Sequence, residues 1–256
     1  MIDPAVAIAH AFRQEDITML QRVLRATGLK PRPWDSYARF EYKSVWNAVA
    51  PTEDKAKLAV SGTLDKVEHQ RSAEQTLEWL QRHVGIHPDD VIVDIGAGFG
   101  RVGELVAPLC KRWIGTDVSE NMIAVIKQRL ADHKNVEAIA TNGFDLSPIA
   151  TASADMVYCT TVFMHLDEWE RYNYIVEGFR ILKPGGRMIV DNISLASDQG
   201  WNIFIEHTRI PPAQRPPSIS KMSTPQEIAI YFQRAGFKRI NQAELGPMII
   251  TYGVKP

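Results

Sequence analysis

The spacing of apolar and polar positions changes near residue 90. Before it, apolar side chains recur at helical intervals. Ile8, Phe12, Met19, Leu20, Val23 and Leu24 mark a helix predicted over Pro4–Thr27, with Gly28 where a C-terminal cap falls. Lys30-Pro31-Arg32-Pro33 interrupts the chain, and an aromatic-rich stretch follows with Trp34, Tyr37, Phe40, Tyr42 and Trp46. Ser72–Val84 reads as an amphipathic helix through Thr76, Leu77, Leu80 and Val84, stopped by Gly85.

From residue 91 short strands alternate with helices. Strands are predicted at Val91–Ile95, Trp113–Asp117, Val136–Ala140, Met156–Cys159, Arg187–Ile193, Lys238–Glu244 and Met248–Val254. Helices are predicted at Gly100–Leu109, Asn121–Leu130 (begun by Ser119), Glu168–Leu182 and Thr224–Ala235, the last with Pro225 at its first position. Strands separated by helices imply an α/β fold, its parallel sheet covered on both faces. The last two strands form an antiparallel pair turning at Gly246-Pro247. Residues 1–88 are expected to form a helical cap covering the substrate, and residues 89–256 the α/β domain. Within the latter, residues 194–223 break the alternation and hold Trp201, Phe204, Pro211, Pro212, Pro216 and Pro217. This insertion follows the C-terminal end of a strand, the edge where such sheets bind ligands, so a lid is preferred to an inert loop.

The most informative stretch is Val91-Ile92-Val93-Asp94-Ile95-Gly96-Ala97-Gly98-Phe99-Gly100-Arg101. A buried strand ends in a turn almost without side chains. Glycine there admits positive φ and lets another molecule approach the backbone. A strand, glycine turn and helix in sequence is where open parallel sheets hold nucleotide-like ligands.

Composition narrows the classes. The chain has 256 residues, 45% hydrophobic and 23% charged, with a formal net charge of −1. That suits one large domain, or one with an appended cap, and supplies no global field for nucleic acid or an anionic membrane. Its two cysteines, Cys110 and Cys159, form no CxxC pair, which argues against a disulfide framework or a zinc cluster and makes a reducing cytoplasm the expected compartment. The apolar run near the N-terminus is short and interrupted by His10, unlike a signal peptide or a membrane span. No metal is expected, because no paired carboxylates sit at ligand spacing.

Several motifs then fall in one order: Asp94-Ile95-Gly96-Ala97-Gly98-Phe99-Gly100, Ile114-Gly115-Thr116-Asp117-Val118-Ser119, Asn142-Gly143-Phe144-Asp145-Leu146, Ala154-Asp155-Met156-Val157-Tyr158, Phe163-Met164-His165-Leu166 and Leu182-Lys183-Pro184-Gly185-Gly186. Over residues 91–256 this set resembles the class I S-adenosylmethionine (SAM)-dependent methyltransferases. The resemblance implies a Rossmann-like, seven-stranded, mostly parallel sheet and SAM as cofactor. It implies cofactor-binding roles for Asp94, Gly96, Ala97, Gly98, Gly100, Asp117, Val118, Asn142, Gly143, Cys159 and Thr160.

Physical chemistry gives each role a rival. The Asp117 carboxylate can accept both ribose hydroxyls in a charge-assisted pair; an acid favoured at a helix N-terminus is the alternative. Asn142 and the Gly143 amide can meet adenine's edge, or form a plain Asn-Gly turn. Asp94 is expected to orient the loop, with loop amides as partners for a buried carboxylate. Cys159 and Thr160 can lend backbone groups, and Cys159 reads as a small core residue rather than a nucleophile. His165, past the fourth strand, is the candidate general base; hydrogen bonding to nearby backbone is its structural alternative. His10 and His207 are less well placed. Arg209, Arg215 and Lys221 can clamp an anion, or simply form an exposed basic face. The aromatic stretch can cover the substrate or serve as the core of the cap.

The expected activity is methyl transfer to an O, N, S or C atom of a small-molecule acceptor. Adenine-methylase and cytosine-methylase motifs are absent, and there is no basic stripe for nucleic acid. An NAD-dependent oxidoreductase is the first alternative, but Arg101 stands where the GxGxxG fingerprint needs glycine. A nonenzymatic SAM-binding protein is the second. Acceptor and oligomeric state are left open.

Overall fold

The computed structural model describes residues 42–216 and 218–256. The helix predicted over Pro4–Thr27, with His10, and the aromatics Trp34, Tyr37 and Phe40 lie outside the described residues.

Among the described residues, three helices precede the sheet: α1 Tyr42–Val49, α2 Glu53–Ser61 and α3 Lys66–His83. Thr52 caps α2, its side chain accepting from the Lys55 amide, and Gly62 closes it at φ 71°. α3 starts earlier than its apolar spacing suggests, because the Asp65 side chain accepts the Val67 amide at 2.8 Å.

The domain that follows runs β1 Val91–Ile95, α4 Gly103–Val106, β2 Arg112–Asp117, α5 Glu120–Arg129, β3 Val136–Ala140, β4 Ala154–Cys159, α6 Glu168–Ile181, β5 Leu182–Ile193, α7 Asp198–Thr208, α8 Pro225–Ala235, β6 Lys238–Leu245 and β7 Met248–Val254. The seven strands form one sheet in the order β3-β2-β1-β4-β5-β7-β6. All neighbours pair in parallel except β5 with β7 and β6 with β7. This is the Rossmann-like fold expected. Strand order reverses between β1 and β4, opening a crevice at their C-terminal ends.

Three elements differ from expectation. The helix predicted over Gly100–Leu109 is reduced to α4 and a 3-10 turn at Ala107–Leu109, because Gly100 adopts φ 79° and Pro108 has no amide proton. β5 begins at Leu182, paired with Ala154, and bulges through Lys183-Pro184-Gly185-Gly186 before Arg187 pairs with Met156. Residues 194–223, expected as a lid insertion with no helix assigned, contain one: Ser197 accepts the Gly200 amide and starts α7.

Packing places the site. Trp113 is fully buried beneath β1 and β2, its ring so close that a Cβ on Gly103 or Gly115 would lie 2.4 or 2.3 Å from it. Arg187 joins the end of α3 to the sheet: it pairs with the buried Asp90 and donates to the carbonyls of Val84 and Gly85 at 2.7 and 3.0 Å.

Candidate functional site

The glycine turn after β1 is held from β2. Gly96 has φ 73°, and the amides of Gly96 and Ala97 both donate to the Thr116 carbonyl, at 2.8 and 2.9 Å. The Gly98 amide donates to Asp117 Oδ2 at 2.9 Å, and the Ser119 amide to Oδ1 at 2.8 Å. Asp117 thus ties the loop to the start of α5. Each oxygen keeps acceptor capacity after these bonds. Burial pushes its carboxyl up to about 6, against the backbone bonds that favour the ionised form.

Asp94 behaves differently from expectation. Its partners are not loop amides. Asp94 and Tyr158 are register partners across β1 and β4, so their side chains share one face of the sheet. The carboxyl is hydrogen-bonded to the Tyr158 hydroxyl and feels the charge of Arg101; burial outweighs both and pushes it up to about 7.

A cavity opens above the turn and encloses about 750 Å³, including its mouth. Gly96, Gly98, Asp117, Val118, Gly143 and His165 line it, as the sequence reading brought together. Asp94, Ala97, Gly100, Asn142, Cys159 and Thr160 do not reach its wall. Asn142 is exposed and engaged in its own turn. Its Oδ1 accepts the amides of Phe144 and Asp145, at 2.8 and 2.9 Å, and its Nδ2 donates to Asp145. Cys159 is fully buried, and burial pushes its thiol well above the usual range, as for a core residue.

The next residues inherit the position after β4. Thr161 lines the cavity at φ 57°, its amide donating to Asp191 Oδ1 at 2.6 Å. Val162 covers the glycine turn: a Cβ on Gly96 would lie 2.3 Å from its Cγ2. His165 sits in a 3-10 turn, its Nδ1 3.0 Å from the Ser218 carbonyl. A carbonyl only accepts, so Nδ1 carries the proton and Nε2 the lone pair. Burial, reinforced by Lys221, pushes the imidazole down to about 4 despite that bond. His207 instead bonds the Ser220 carbonyl at 3.2 Å and borders a separate recess. Arg209 pairs with Glu206, Arg215 donates to the Ile210 carbonyl, and Lys221 pairs with Asp167. No lysine or arginine among the described residues lines the cavity.

Of the cover over the mouth, the sequence reading named Tyr42 and Trp46 as residues able to cover the substrate but did not single out Ala59 and Val60. Tyr42 and Trp46 of α1, with Ala59 and Val60 of α2, line the cavity. Val60 lies above Gly98, 3.1 Å from where a Cβ would stand. α1 is fastened by Lys43 to Glu120 at 2.6 Å, by Ser119 Oγ donating to Asn47 Oδ1 at 2.8 Å, and by the Asp167 amide donating to the Tyr42 hydroxyl at 3.1 Å. Ala50 and Ala56 pack with Phe99 and Met122 beneath. The Thr52-Glu53-Asp54 start and the Gly62 stop were the local signal for α2.

These residues fit SAM, whose nucleoside and amino-acid end carry no phosphate. A bare turn at Gly96 and Gly98, an acid with remaining acceptor capacity, and apolar walls at Val118 and Met122 are what it requires. No cluster of His, Cys, Asp or Glu suited to a metal ion occurs among the described residues.

Comparison with known proteins agrees. Residues 93–190 match the family described as "Methyltransferase domain". A demethylmenaquinone methyltransferase of Tropheryma whipplei is 29% identical over 157 residues, covering 60% of this chain and 59% of that protein. A probable S-adenosylmethionine-dependent methyltransferase of Mycolicibacterium smegmatis is 32% identical over 143 residues, covering 51% and 52%. The matched region thus spans little more than half the length of these curated relatives. A ribosomal RNA small subunit methyltransferase A of Alkaliphilus metalliredigens matches over 63 residues, 33% identical and 25% of this chain. Among solved structures, magnesium protoporphyrin IX methyltransferase from Synechocystis PCC 6803 with bound SAH superposes with a TM-score of 0.63 at 17% identity, covering 84% of this chain and 98% of that one. Residues 93–190 of this chain therefore match a methyltransferase domain, and the chain shares the fold of that solved structure.

Proposed function

We propose that the protein is a SAM-dependent methyltransferase that acts on a small-molecule acceptor. The observation that carries this is Asp117: one buried carboxylate braces the glycine turn and borders the cavity, where its remaining acceptor capacity matches a ribose diol. Gly96 and Gly98 border the cavity without side chains of their own, with Val162 and Val60 standing over them, and the amino-acid end of the cofactor is assigned to the space beside this turn. Val118, Met122, Thr141 and Gly143 surround the space for its base.

When bound, SAM supplies a methyl group already activated on a sulfonium, so the protein's task is alignment and exclusion of water. Tyr42, Trp46 and Val60 line the cavity on the side of α1 and α2 and narrow its access to solvent. His165 presents a neutral imidazole with Nε2 as acceptor, able to take a proton from an oxygen or nitrogen nucleophile. The roof and the absence of lysine and arginine from the described wall favour a small acceptor over a polynucleotide. In this reading residues 42–88 belong to the covering cap, and residues 194–223 brace the side of the site through the Ser218 carbonyl. No described helix is long and apolar enough to cross a membrane.

Calorimetric titration with SAM and with NADH tests the cofactor. Binding of SAM alone is expected; binding of NADH in its place would overturn the proposal. Release of SAH in the presence of an acceptor then separates an enzyme from a SAM-binding protein.

A further inference from the structure

Beyond the cofactor's half, the cavity is walled by Tyr42, Trp46, Thr161, Val162, His165 and Leu166. None of these carries a charge at neutral pH, and two are large aromatics. Among the described residues their polar groups are partnered within the protein, except His165 Nε2 and the Trp46 indole N–H. Thr161 Oγ1 donates to the Thr160 carbonyl at 2.7 Å, the Tyr42 hydroxyl accepts the Asp167 amide, and His165 Nδ1 donates to Ser218. His165 Nε2 is left as an acceptor with no hydrogen-bond partner among the described residues. Nε2 asks for a donor and the Trp46 N–H for an acceptor, and a hydroxyl on an otherwise apolar molecule is both.

The surrounding charge sharpens that demand. The acid of the cavity, Asp117, is on the cofactor side and already holds two amides. A cationic amine would therefore be desolvated beside a sulfonium with no counter-ion of its own. A carboxylate would meet no arginine or lysine on the described wall, and Nε2 would turn a lone pair toward it. A neutral hydroxyl suffers neither penalty. A phenol, with a pKa of about 10, yields its proton to an imidazole far more readily than an aliphatic alcohol does, so the hydroxyl that suits this site is a phenolic one. The Trp46 ring lies edge-on to His165, with centroids 4.9 Å apart and planes at 69°. A flat ring that places its oxygen at Nε2 thus lies beside an aromatic neighbour.

We infer that the acceptor is a neutral, planar aromatic compound with a phenolic hydroxyl, held through that hydroxyl at His165 Nε2 and flanked by Trp46. This rests on the methyltransferase reading above. In the transfer the phenolic oxygen forms the new O–CH3 bond as the S–CH3 bond breaks. The pair of the broken bond stays on sulfur. The hydroxyl proton passes to Nε2 and then to water, so the products are a methyl ether and SAH.

The test uses the full chain with SAH bound and three probes on one scaffold: 4-ethylphenol, 4-ethylbenzoate and 4-ethylbenzylamine. Binding is read by calorimetry, and transfer from SAM by SAH release. The phenol is expected to bind at least about tenfold more tightly than either charged probe and alone to be methylated. His165→Ala is expected to lower kcat with the phenol while SAH affinity is kept. Equal or tighter binding of the benzoate or the benzylamine, or no binding of the phenol to a protein that holds SAH, overturns the inference and leaves the methyltransferase reading intact. Failure to bind SAM or SAH at all overturns that reading instead.

Discussion

Trp113 Nε1 donates to the hydroxyl of Tyr158 at 2.9 Å, and both side chains are fully buried. The hydroxyl receives one proton from the indole and gives its own to Asp94, so three side chains on β2, β4 and β1 share one hydrogen-bonded line behind the glycine turn. Tyr158→Phe strips the indole of its acceptor and Asp94 of its donor. A buried polar group without a partner costs about 1–3 kcal/mol. The variant is therefore expected to lose about 2–4 kcal/mol in urea unfolding, and an unchanged midpoint and slope would refute the arrangement.

Asp94 and Asp191 are each pushed up to about 7, and Asp117 to about 6, with burial as the leading cause. Unfolded aspartates titrate near about 4. The folded chain therefore holds these protons over a range where the unfolded chain has released them. Their contribution to stability is complete below the unfolded value and is lost as pH rises through the folded ones. Asp191→Asn preserves an oxygen for the Thr161 amide and removes one such group. The parent is expected to lose more Tm than the variant between about pH 5 and about pH 7.5. Scanning calorimetry showing equal losses would count against a raised Asp191.

The same shift has the opposite consequence for cofactor binding. In the proposed function Asp117 serves a ribose as a carboxylate, and that form is lost as pH falls below about 6. SAM affinity is expected to fall with it. Asp117→Asn still has an oxygen for one amide, but it replaces an acceptor with a donor. It is expected to weaken SAM binding by about tenfold or more at neutral pH and to flatten the pH dependence. Titrations at several pH values check both effects, with Tm as a control for folding.

Gly96 is constrained twice. Its φ of 73° is poorly tolerated by other residues, and an added Cβ would stand 2.3 Å from Val162 Cγ2. Gly96→Ala is expected to weaken SAM binding by more than about tenfold. Adding Val162→Ala removes the collision and leaves the backbone strain, so it is expected to restore part of the loss. Full recovery in the double variant would mean that the backbone conformation is unimportant.

The parts of the site that could be read in the sequence are those fixed by local chemistry. Glycines at 96, 98 and 100 after an apolar strand announce a bare turn, and an acid at the end of the next strand announces Asp117. The sheet followed because strands and helices alternate with the right periodicities. What the sequence concealed depends on contacts between distant residues. That Asp94 meets Tyr158 follows from the register of β1 on β4. That Thr161, and not Cys159 or Thr160, reaches the cavity follows from a left-handed backbone held by Asp191. Asn142 is engaged by its own turn, a competition that composition cannot decide. α7 was obscured by Gly200, which sits where a Cβ would stand 2.0 Å from the Ser194 carbonyl. The placement of Val60 above Gly98 joins segments whose proximity no local pattern announces.

The roof formed by α1 and α2 has a kinetic consequence. Its outer fastening, Lys43 with Glu120, is a surface ion pair for which water competes readily, while its inner side is held by the hydrogen bonds of Asn47 and Tyr42 and by alanines resting on Phe99 and Met122. On the proposed methyltransferase reading, passage of ligands beneath this roof is expected to contribute to the tempo of the cycle alongside chemistry. Thickening the medium with sucrose would then slow turnover without altering how tightly either ligand is held.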